Sequence, residues 1–287
     1  MYAKILANMV ATSHQMNAKA EGDYIGPDGF LYCGKCHTKK ETSVTIKGED
    51  GNDVEFRPYT PCKCRKAEIE AENEKERKQK EAATIERLRS TSGIPDLYVN
   101  ANFSSFKERT DNKAILHMIR RYVEKFDQMA EKGNGLLFHG SVGTGKTYAA
   151  ACIGNELIQR CKSVFMTSTY TMLKLRDPNE EEAYMNRIRR CALLIIDDIG
   201  AERSTEFGRE RVFSYIDARL SEKKPMILTT NLAFDRMLKP ETTEEARIFD
   251  RLLKRSFPVV FSGPSWRRAE AKSNFNEMKA LLEGDDD

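Results

Sequence analysis

The chain has 287 residues, of which 40 % are hydrophobic and 32 % are charged. This length accommodates one sizeable α/β domain with a small appendage, and the composition predicts a globular protein with a highly charged surface. The formal net charge of +3 is too small to indicate nucleic-acid binding by itself. No stretch approaches the ~20 apolar residues of a membrane-spanning helix, and the N-terminus lacks a secretory signal pattern. We therefore expect a cytoplasmic protein with no membrane partner.

Four of the seven cysteines form two close pairs, and these are Cys33, Cys36, Cys62 and Cys64. In a chain without an export signal, paired thiols favour metal binding over disulfides. A strand-like run at 44–46 and a turn at 48–52 predict a hairpin between the pairs. Two thiol pairs can complete a tetrahedral zinc site, and the metal would supply folding energy to a segment with little apolar content. The pattern predicts a small zinc-binding module over residues 1–64.

The alternative to a metal site is a set of four unpaired surface thiols. The Cys-x-Cys spacing is tighter than the usual Cys-x-x-Cys, and His37 is adjacent to Cys36, an awkward position for a replacement ligand. The remaining cysteines are interpreted as core or near-core thiols without chemistry, and these are Cys152, Cys161 and Cys191.

Residues 65–94 are predicted to form a charged helical linker. The segment is rich in Lys, Arg, Glu and Ala and has hardly any apolar periodicity, so a flexible connector is the alternative. The run 92–95, Ser-Gly-Ile-Pro, then breaks the chain before the last predicted domain at 95–287.

The last domain alternates between helical and buried-strand patterns. One helical face consists of Ile115, Ile119, Tyr122, Val123 and Phe126. Short apolar runs predict core strands at 135–139, 163–167, 192–197, 226–230 and 259–261. This alternation is typical of an α/β domain in which helices cover both faces of a parallel sheet.

A phosphate-binding loop follows the first of these strands. Its residues match the P-loop pattern in full, and they are Gly140, Ser141, Val142, Gly143, Thr144, Gly145, Lys146 and Thr147. The glycines let backbone N–H groups turn inward around phosphates at the positive end of the following helix. We expect Lys146 to reach the β- and γ-phosphates of ATP and Thr147 to ligate Mg²⁺.

Polar residues lie at the ends of the third and fourth predicted strands, 192–197 and 226–230. Asp197 is expected to hold the Mg²⁺ shell, and Asp198 is expected to polarise the attacking water. A second acid at this place favours hydrolysis over phosphoryl transfer to a small molecule. Asn231 can orient the same water, although a capping Asn at a strand-to-helix turn is the alternative.

The order of these motifs, followed by the runs 247–252 and 265–267, resembles the AAA+ P-loop ATPases of the bacterial helicase-loader family. These are the DnaC and DnaI type, with the transposition helper IstB as close kin. The resemblance covers roughly residues 95–282. It implies that Asn231 is the sensor-1 residue, Arg251 the arginine finger for a neighbouring subunit and Arg267 the sensor-2 arginine. Arg247 and Arg255 lie one helical turn from Arg251 and are alternatives for the finger.

One residue departs from the pattern of several family members, which have Asp-Glu where this chain has Asp197 and Asp198. Aspartate is one methylene shorter, so the water would have to sit closer to the strand. Asp-Asp also occurs among these relatives.

The resemblance implies an ATP-dependent loader of the replicative DNA helicase onto single-stranded DNA. Its zinc module would contact the helicase, and its ATPase domains would self-associate into an AAA+ oligomer. Two groups of residues supply basic and aromatic side chains for DNA, with a solvated helical face as the alternative. The first group is Arg247, Arg251, Lys254, Arg255, Arg267, Arg268 and Lys272, and the second is Tyr170, Lys174, Arg176, Arg187, Arg189 and Arg190.

Three other functions are weighed against the loader. An IstB-like transposition helper would bind duplex DNA and a transposase, but it often lacks a zinc module. A small-molecule kinase would not explain Arg251, Arg267 or the cysteines. A non-catalytic nucleotide-gated adaptor would show no turnover.

Overall fold

The computed structural model describes residues 20–47, 52–108, 112–200, 206–240 and 242–283. The chain divides into two compact units, Met1–Glu81 and Ala82–Asp287. Most of the predicted turn at 48–52 and the first nineteen residues of the predicted module lie outside the described residues. Among the helices that are described, none is long and apolar enough to cross a membrane.

The first unit contains two short antiparallel hairpins. Strands β1 (Tyr24–Ile25) and β2 (Leu31–Tyr32) form one, and β3 (Val44–Lys47) and β4 (Asp53–Phe56) form the other. The second hairpin was predicted between the cysteine pairs. The first was not, because strands of two residues are too short to show an alternating pattern.

A buried ion pair lies within this unit. The Asp23 carboxylate accepts hydrogen bonds from Lys40 Nζ at 2.6 Å, from the Ala20 N–H at 2.9 Å and from the Gly34 N–H at 3.1 Å. The two charged side chains are only 2 % and 7 % exposed. Because buried charges require such partners, the pair connects segments that have few apolar side chains to hold them together.

The predicted linker is helical. Helix α1 (Lys63–Ser90) is 28 residues long and crosses the division between the two units. Its exposed surface carries ion pairs at helical spacing, such as Glu74 with Arg77 and Lys78, which support a solvated helix. Leu88, near its C-terminal end, is buried in the hydrophobic core of the second unit.

The second unit is an α/β domain with a five-stranded parallel sheet. Its strands are β5 (Gly135–Gly140), β6 (Val164–Ser168), β7 (Leu193–Ile199), β8 (Met226–Thr230) and β9 (Ser256–Phe261). Their order in the sheet is β6–β7–β8–β5–β9. The described helices are α2 (Lys113–Glu124), α3 (Phe126–Lys132), α4 (Lys146–Gln159), α5 (Thr169–Lys174), α6 (Pro178–Arg190), α7 (Glu206–Ser221), α8 (Phe234–Leu238), α9 (Thr243–Arg255) and α10 (Trp266–Glu283). All five predicted strands are present, and β9 begins three residues before its predicted start.

Each face of the sheet packs against its own hydrophobic core. Alternate residues of β7 divide between them: Leu193 and Ile195 face the core formed with α2 and α4, whereas Leu194 and Ile196 face the core formed with α6 and α7. The strands are therefore covered on both sides, which explains their continuous apolar sequence. The predicted helical face is also buried, although its last residue, Phe126, begins α3 and does not continue α2.

Arg219 of α7 is fully buried without a carboxylate partner among its described hydrogen bonds. Its guanidinium donates to the carbonyls of Ile188, Cys191, Ala192 and Pro225, at distances from 2.6 to 3.1 Å. One side chain thus satisfies carbonyl groups where α6 ends and where β7 and β8 begin.

We expect Arg219→Met to lower the free energy of unfolding by about 3 kcal/mol, because methionine fills a similar volume but leaves buried carbonyls without donors. Urea unfolding followed by circular dichroism measures the change. Arg190→Met is the control, since Arg190 is exposed and its loss should change stability by no more than ~0.5 kcal/mol. Equal stability of the two variants would show that the carbonyls find other donors.

Candidate nucleotide and metal sites

The P-loop occupies the turn between β5 and α4. Gly140 has φ 134° and Gly143 has φ 81°, and residues other than glycine rarely adopt these backbone conformations. A Cβ atom on Gly143 would lie 2.1 Å from Ser265 Oγ, next to the start of α10. The Gly143 carbonyl also accepts a hydrogen bond from the Trp266 N–H at 2.9 Å. The phosphate-binding turn and the first residue of α10 are therefore in direct contact.

Lys146 is buried at the first position of α4. Its Nζ donates to the carbonyls of Gly140 and Ser141 at 2.9 and 2.8 Å and to Asn231 Oδ1 at 2.8 Å. Burial lowers the pKa of this ammonium group, an effect opposed by the charges of Asp198 and Asp197. The structure brings Lys146 and Asn231 together across 85 positions of sequence.

Thr147 and Asp197 are also in contact. The Thr147 hydroxyl donates to Asp197 Oδ1 at 2.9 Å, and the Thr229 hydroxyl donates to the same oxygen at 2.6 Å. Burial raises the pKa of Asp197, and these hydrogen bonds oppose the rise by stabilising its charged form. A hydroxyl and a carboxylate side by side are hard oxygen donors of the kind that Mg²⁺ prefers, so the pair fits the predicted magnesium site.

Asp198 lies next to Asn231 and is exposed. Its Oδ1 accepts a hydrogen bond from Asn231 Nδ2 at 3.3 Å, while Asn231 Oδ1 accepts from Lys146. The Asn231 amide therefore links the P-loop lysine to the second acid.

These residues border a cavity of about 410 Å³, a volume typical of small-molecule sites. Its polar lining includes Lys146, Thr147, Asp198, Asn231 and Arg267, together with Ser105, Lys107 and Glu270, and its mostly aromatic wall includes Leu97, Tyr98, Phe106, Tyr148 and Trp266. Cationic side chains and aromatic rings are groups that can bind the triphosphate and the base of ATP, respectively. Sequence reasoning missed the aromatic wall because most of it comes from segments with no motif; only Trp266 lay inside a motif.

Arg251 does not line this cavity. It is exposed on α9 and forms an ion pair with Asp217 of α7. Of the two alternatives, Arg247 is exposed, and Arg255 Nη1 lies close to Gly133. An arginine that acts on a neighbouring subunit would be found away from its own nucleotide cavity, so the finger assignment stays a prediction.

The four paired cysteines meet in the first unit. Their sulfur atoms all lie within 4.8 Å of one another. Tetrahedral zinc–thiolate sites, with Zn–S bonds of about 2.3 Å, require sulfur atoms at this kind of separation. His37 is directed elsewhere, with its Nδ1 3.2 Å from the Tyr24 hydroxyl. The cluster therefore has the donor set of a four-cysteine zinc site.

Hydrogen bonds within the cluster favour the thiolate form of Cys33 and Cys36, whereas burial raises the pKa of Cys62. Backbone N–H groups of Cys36 and Lys35 lower the pKa of Cys33. The Thr38 hydroxyl, 3.0 Å from Cys36 Sγ, and the Cys64 N–H lower the pKa of Cys36 to about 5. The hydrogen bond from Cys64 to Cys36 raises the pKa of Cys64 to about 12. N–H donors directed at sulfur are what a metal-bound thiolate requires from its surroundings.

The other cysteines take no part in this cluster. Cys152 and Cys191 are buried as predicted, and burial raises the pKa of the Cys152 thiol to about 12. The prediction of a core or near-core position is wrong for Cys161, which is exposed in the turn after α4 ends.

We expect the purified protein to contain one zinc per chain and Cys36→Ser to contain far less, because the remaining three thiolates leave the tetrahedral set incomplete. Elemental analysis after gel filtration measures the content. Cys161→Ser is the matched control, since it removes a thiol outside the cluster and should keep the wild-type zinc content. Far less than one zinc in the wild type would end the metal assignment.

The chain is similar in sequence to a known protein family and to characterised relatives. A family model described as IstB-like ATP binding protein matches residues 69–274, a range that leaves the four clustered cysteines outside. The replicative helicase loader DnaC of Escherichia coli (strain K12) is 32% identical over 199 residues, which cover 66% of this chain and 78% of the relative.

Two solved structures share the fold. The crystal structure of DnaI has a TM-score of 0.52 and 26% identity and covers 62% of this chain and 98% of that chain. The crystal structure of the DnaC helicase loader has a TM-score of 0.50 and 23% identity, and the match covers 58% of this chain and 100% of that chain. With its five-stranded parallel sheet and its P-loop, the chain belongs to the IstB-like AAA+ ATPase family of the DnaC and DnaI type.

Proposed function

We propose that this protein is an ATP-dependent loader of the replicative DNA helicase onto single-stranded DNA. The observation that carries the ATPase part is the convergence of Lys146, Thr147, Asp197, Asp198 and Asn231 around one end of the sheet. Support for the loader part comes from the relatives, among them the replicative helicase loader DnaC.

Each residue of the site takes a part in hydrolysis. Lys146 binds the β- and γ-phosphates, and Asp198 accepts the proton of the attacking water while Asn231 orients that water. Thr147 and Asp197 hold Mg²⁺, which neutralises charge on the phosphate oxygens when it is bound. Asp198 suits the base role because it is exposed to solvent and hydrogen-bonded to Asn231.

Two arginines complete the site. Arg267 lies on the cavity wall of its own chain, in the first turn of α10, and acts as the sensor of the γ-phosphate. Arg251 acts on the ATP of a neighbouring subunit, and its exposed position beside Asp217 supports this role because the guanidinium can exchange that ion pair for a phosphate. Hydrolysis would then require an assembled oligomer.

The zinc module is proposed to contact the helicase. It lies in a unit separate from the ATPase domain, and the family match begins after its last cysteine. A metal-stabilised module attached through the charged helix α1 can bind a partner without contributing to the nucleotide site.

Single-stranded DNA is proposed to bind at α5. Tyr170 is 66 % exposed, and Lys174 Nζ lies 4.2 Å from its ring centroid, which combines a stacking surface with a cation. Arg187, which belongs to the predicted basic group, makes contacts within the protein. Its guanidinium lies over the Phe165 ring and donates a hydrogen bond to the Thr91 carbonyl. The proposed surface therefore excludes Arg187, and its affinity should fall as salt is added.

The transposition helper remains the second candidate, because the matching family model carries the IstB name. The cysteine cluster favours the loader, since the helper often lacks such a module.

Native mass spectrometry of the protein mixed with the replicative helicase of its host, ATP and Mg²⁺ tests the loader function. We expect a discrete complex in which each subunit of this protein is heavier by one zinc. Intact ATPase and zinc content without any complex would contradict the loader function and favour the transposition helper.

We expect Arg251→Ala to lower ATP turnover in the assembled state by about 10³-fold or more, because a finger acting in trans stabilises transition-state charge. Turnover is measured with the helicase and single-stranded DNA present. Arg247→Ala and Arg255→Ala are the matched controls on the same helix and should each stay near wild type. If Arg251→Ala hydrolyses ATP normally and one of the controls does not, the finger is that other arginine.

A further inference from the structure

We propose that Thr229 is a positioning residue for ATP hydrolysis, whose hydroxyl holds Asp197 and Asp198 in their working arrangement. The proposal rests on the ATPase activity within the proposed function. It concerns a buried residue of β8 to which no motif assigns a role.

The side-chain alternation of β7 is interrupted at Asp198. Up to Ile196 the strand alternates regularly between the two cores, with Leu193 and Ile195 on one face and Leu194 and Ile196 on the other. Continued alternation would place Ile199 on the face of Ile195, but Ile199 packs in the core of Ile196. One extra residue between Ile196 and Ile199 therefore interrupts the alternation of side chains.

That residue forms a β-bulge. The register of β7 against β8 shifts between Ile196 and Ile199, where three steps along β7 match two along β8. Asp198 has φ 55°, a left-handed conformation that is uncommon outside glycine, although aspartate adopts it more readily than most residues.

The bulge decides where the second acid points. In a regular strand, adjacent side chains point to opposite faces, so Asp198 would point away from Asp197 and from the P-loop. With the bulge, Asp198 lines the nucleotide cavity and accepts a hydrogen bond from Asn231. The division of labour between the two acids therefore depends on this one irregular residue.

The Thr229 hydroxyl contacts both acids. It accepts a hydrogen bond from the Asp198 N–H at 3.0 Å and donates to Asp197 Oδ1 at 2.6 Å, and the residue is fully buried. The first bond satisfies an amide at the bulge, and the second fixes the carboxylate that Thr147 also contacts. Only a small hydroxyl side chain offers a donor and an acceptor within one atom at this position.

Thr229→Val tests the proposal, because valine matches the shape of threonine and removes only the hydroxyl. Thr229→Ser keeps the hydroxyl and removes only the methyl group. Thr167→Val is the matched control: Thr167 is a buried threonine on β6, and its hydroxyl bonds that of Tyr184 on α6. Three quantities are measured for each variant: the turnover number, the Mg²⁺ concentration for half-maximal turnover, and the affinity for mant-AMP-PNP in EDTA and in Mg²⁺.

We expect Thr229→Val to lower turnover by about 10- to 100-fold and to raise the half-saturating Mg²⁺ concentration by about 10-fold. Affinity for mant-AMP-PNP in EDTA should stay within about twofold of wild type, while the gain in affinity on adding Mg²⁺ should shrink, since second-shell partners tune the metal ligand. Thr229→Ser should recover most of both quantities, and Thr167→Val should resemble the wild type in all three.

The proposal is overturned if Thr229→Val keeps the wild-type turnover and Mg²⁺ dependence, or if it loses mant-AMP-PNP binding in EDTA, which would indicate a general structural defect. Its failure can be told apart from failure of the proposed function. A wild-type protein that hydrolyses ATP without binding the helicase removes the loader function and leaves the role of Thr229 intact.

Discussion

The nucleotide site depends on strand adjacency in a parallel sheet. Because β5 pairs with β8 and β8 pairs with β7, the carboxyl ends of three strands from distant parts of the chain meet at one edge. The P-loop begins at the end of β5, Asn231 follows β8, and Asp197 and Asp198 lie in the last residues of β7. Hydrogen bonds of Asn231 with Lys146 and with Asp198 join the three. The hydrophobic cores on both faces stabilise that sheet and thereby the geometry of the site.

The Lys146 ammonium group is positioned to bind a phosphate. Lys146 is bonded to two carbonyls and an amide oxygen, so a phosphate offers its ammonium a better partner than it has in the protein alone. Burial shifts the pKa of Lys146 downward and that of Asp197 upward, and both shifts express the cost of keeping charge away from water. Binding of phosphate and of a divalent cation would offset that cost.

The two units of the chain are stabilised by different means. The ATPase domain buries two large apolar cores, whereas the small unit relies on the Asp23–Lys40 pair and on four clustered thiols. A metal ligated by those thiols would contribute its binding energy directly to folding. Its removal would then affect the small unit, whereas the two apolar cores around the nucleotide site do not depend on it.

The sequence by itself determined the local elements: the apolar runs predicted all five sheet strands, the Gly-rich motif located the P-loop, and the cysteine spacing indicated the thiol cluster. These features depend on residues close together in the chain, where periodicity and spacing carry the information. Only the tertiary structure decided the aromatic wall around Trp266, the separation of Arg251 from its own cavity, and the bulge at Asp198 held by Thr229. Each of these depends on contacts between segments far apart in sequence, for which no local pattern exists.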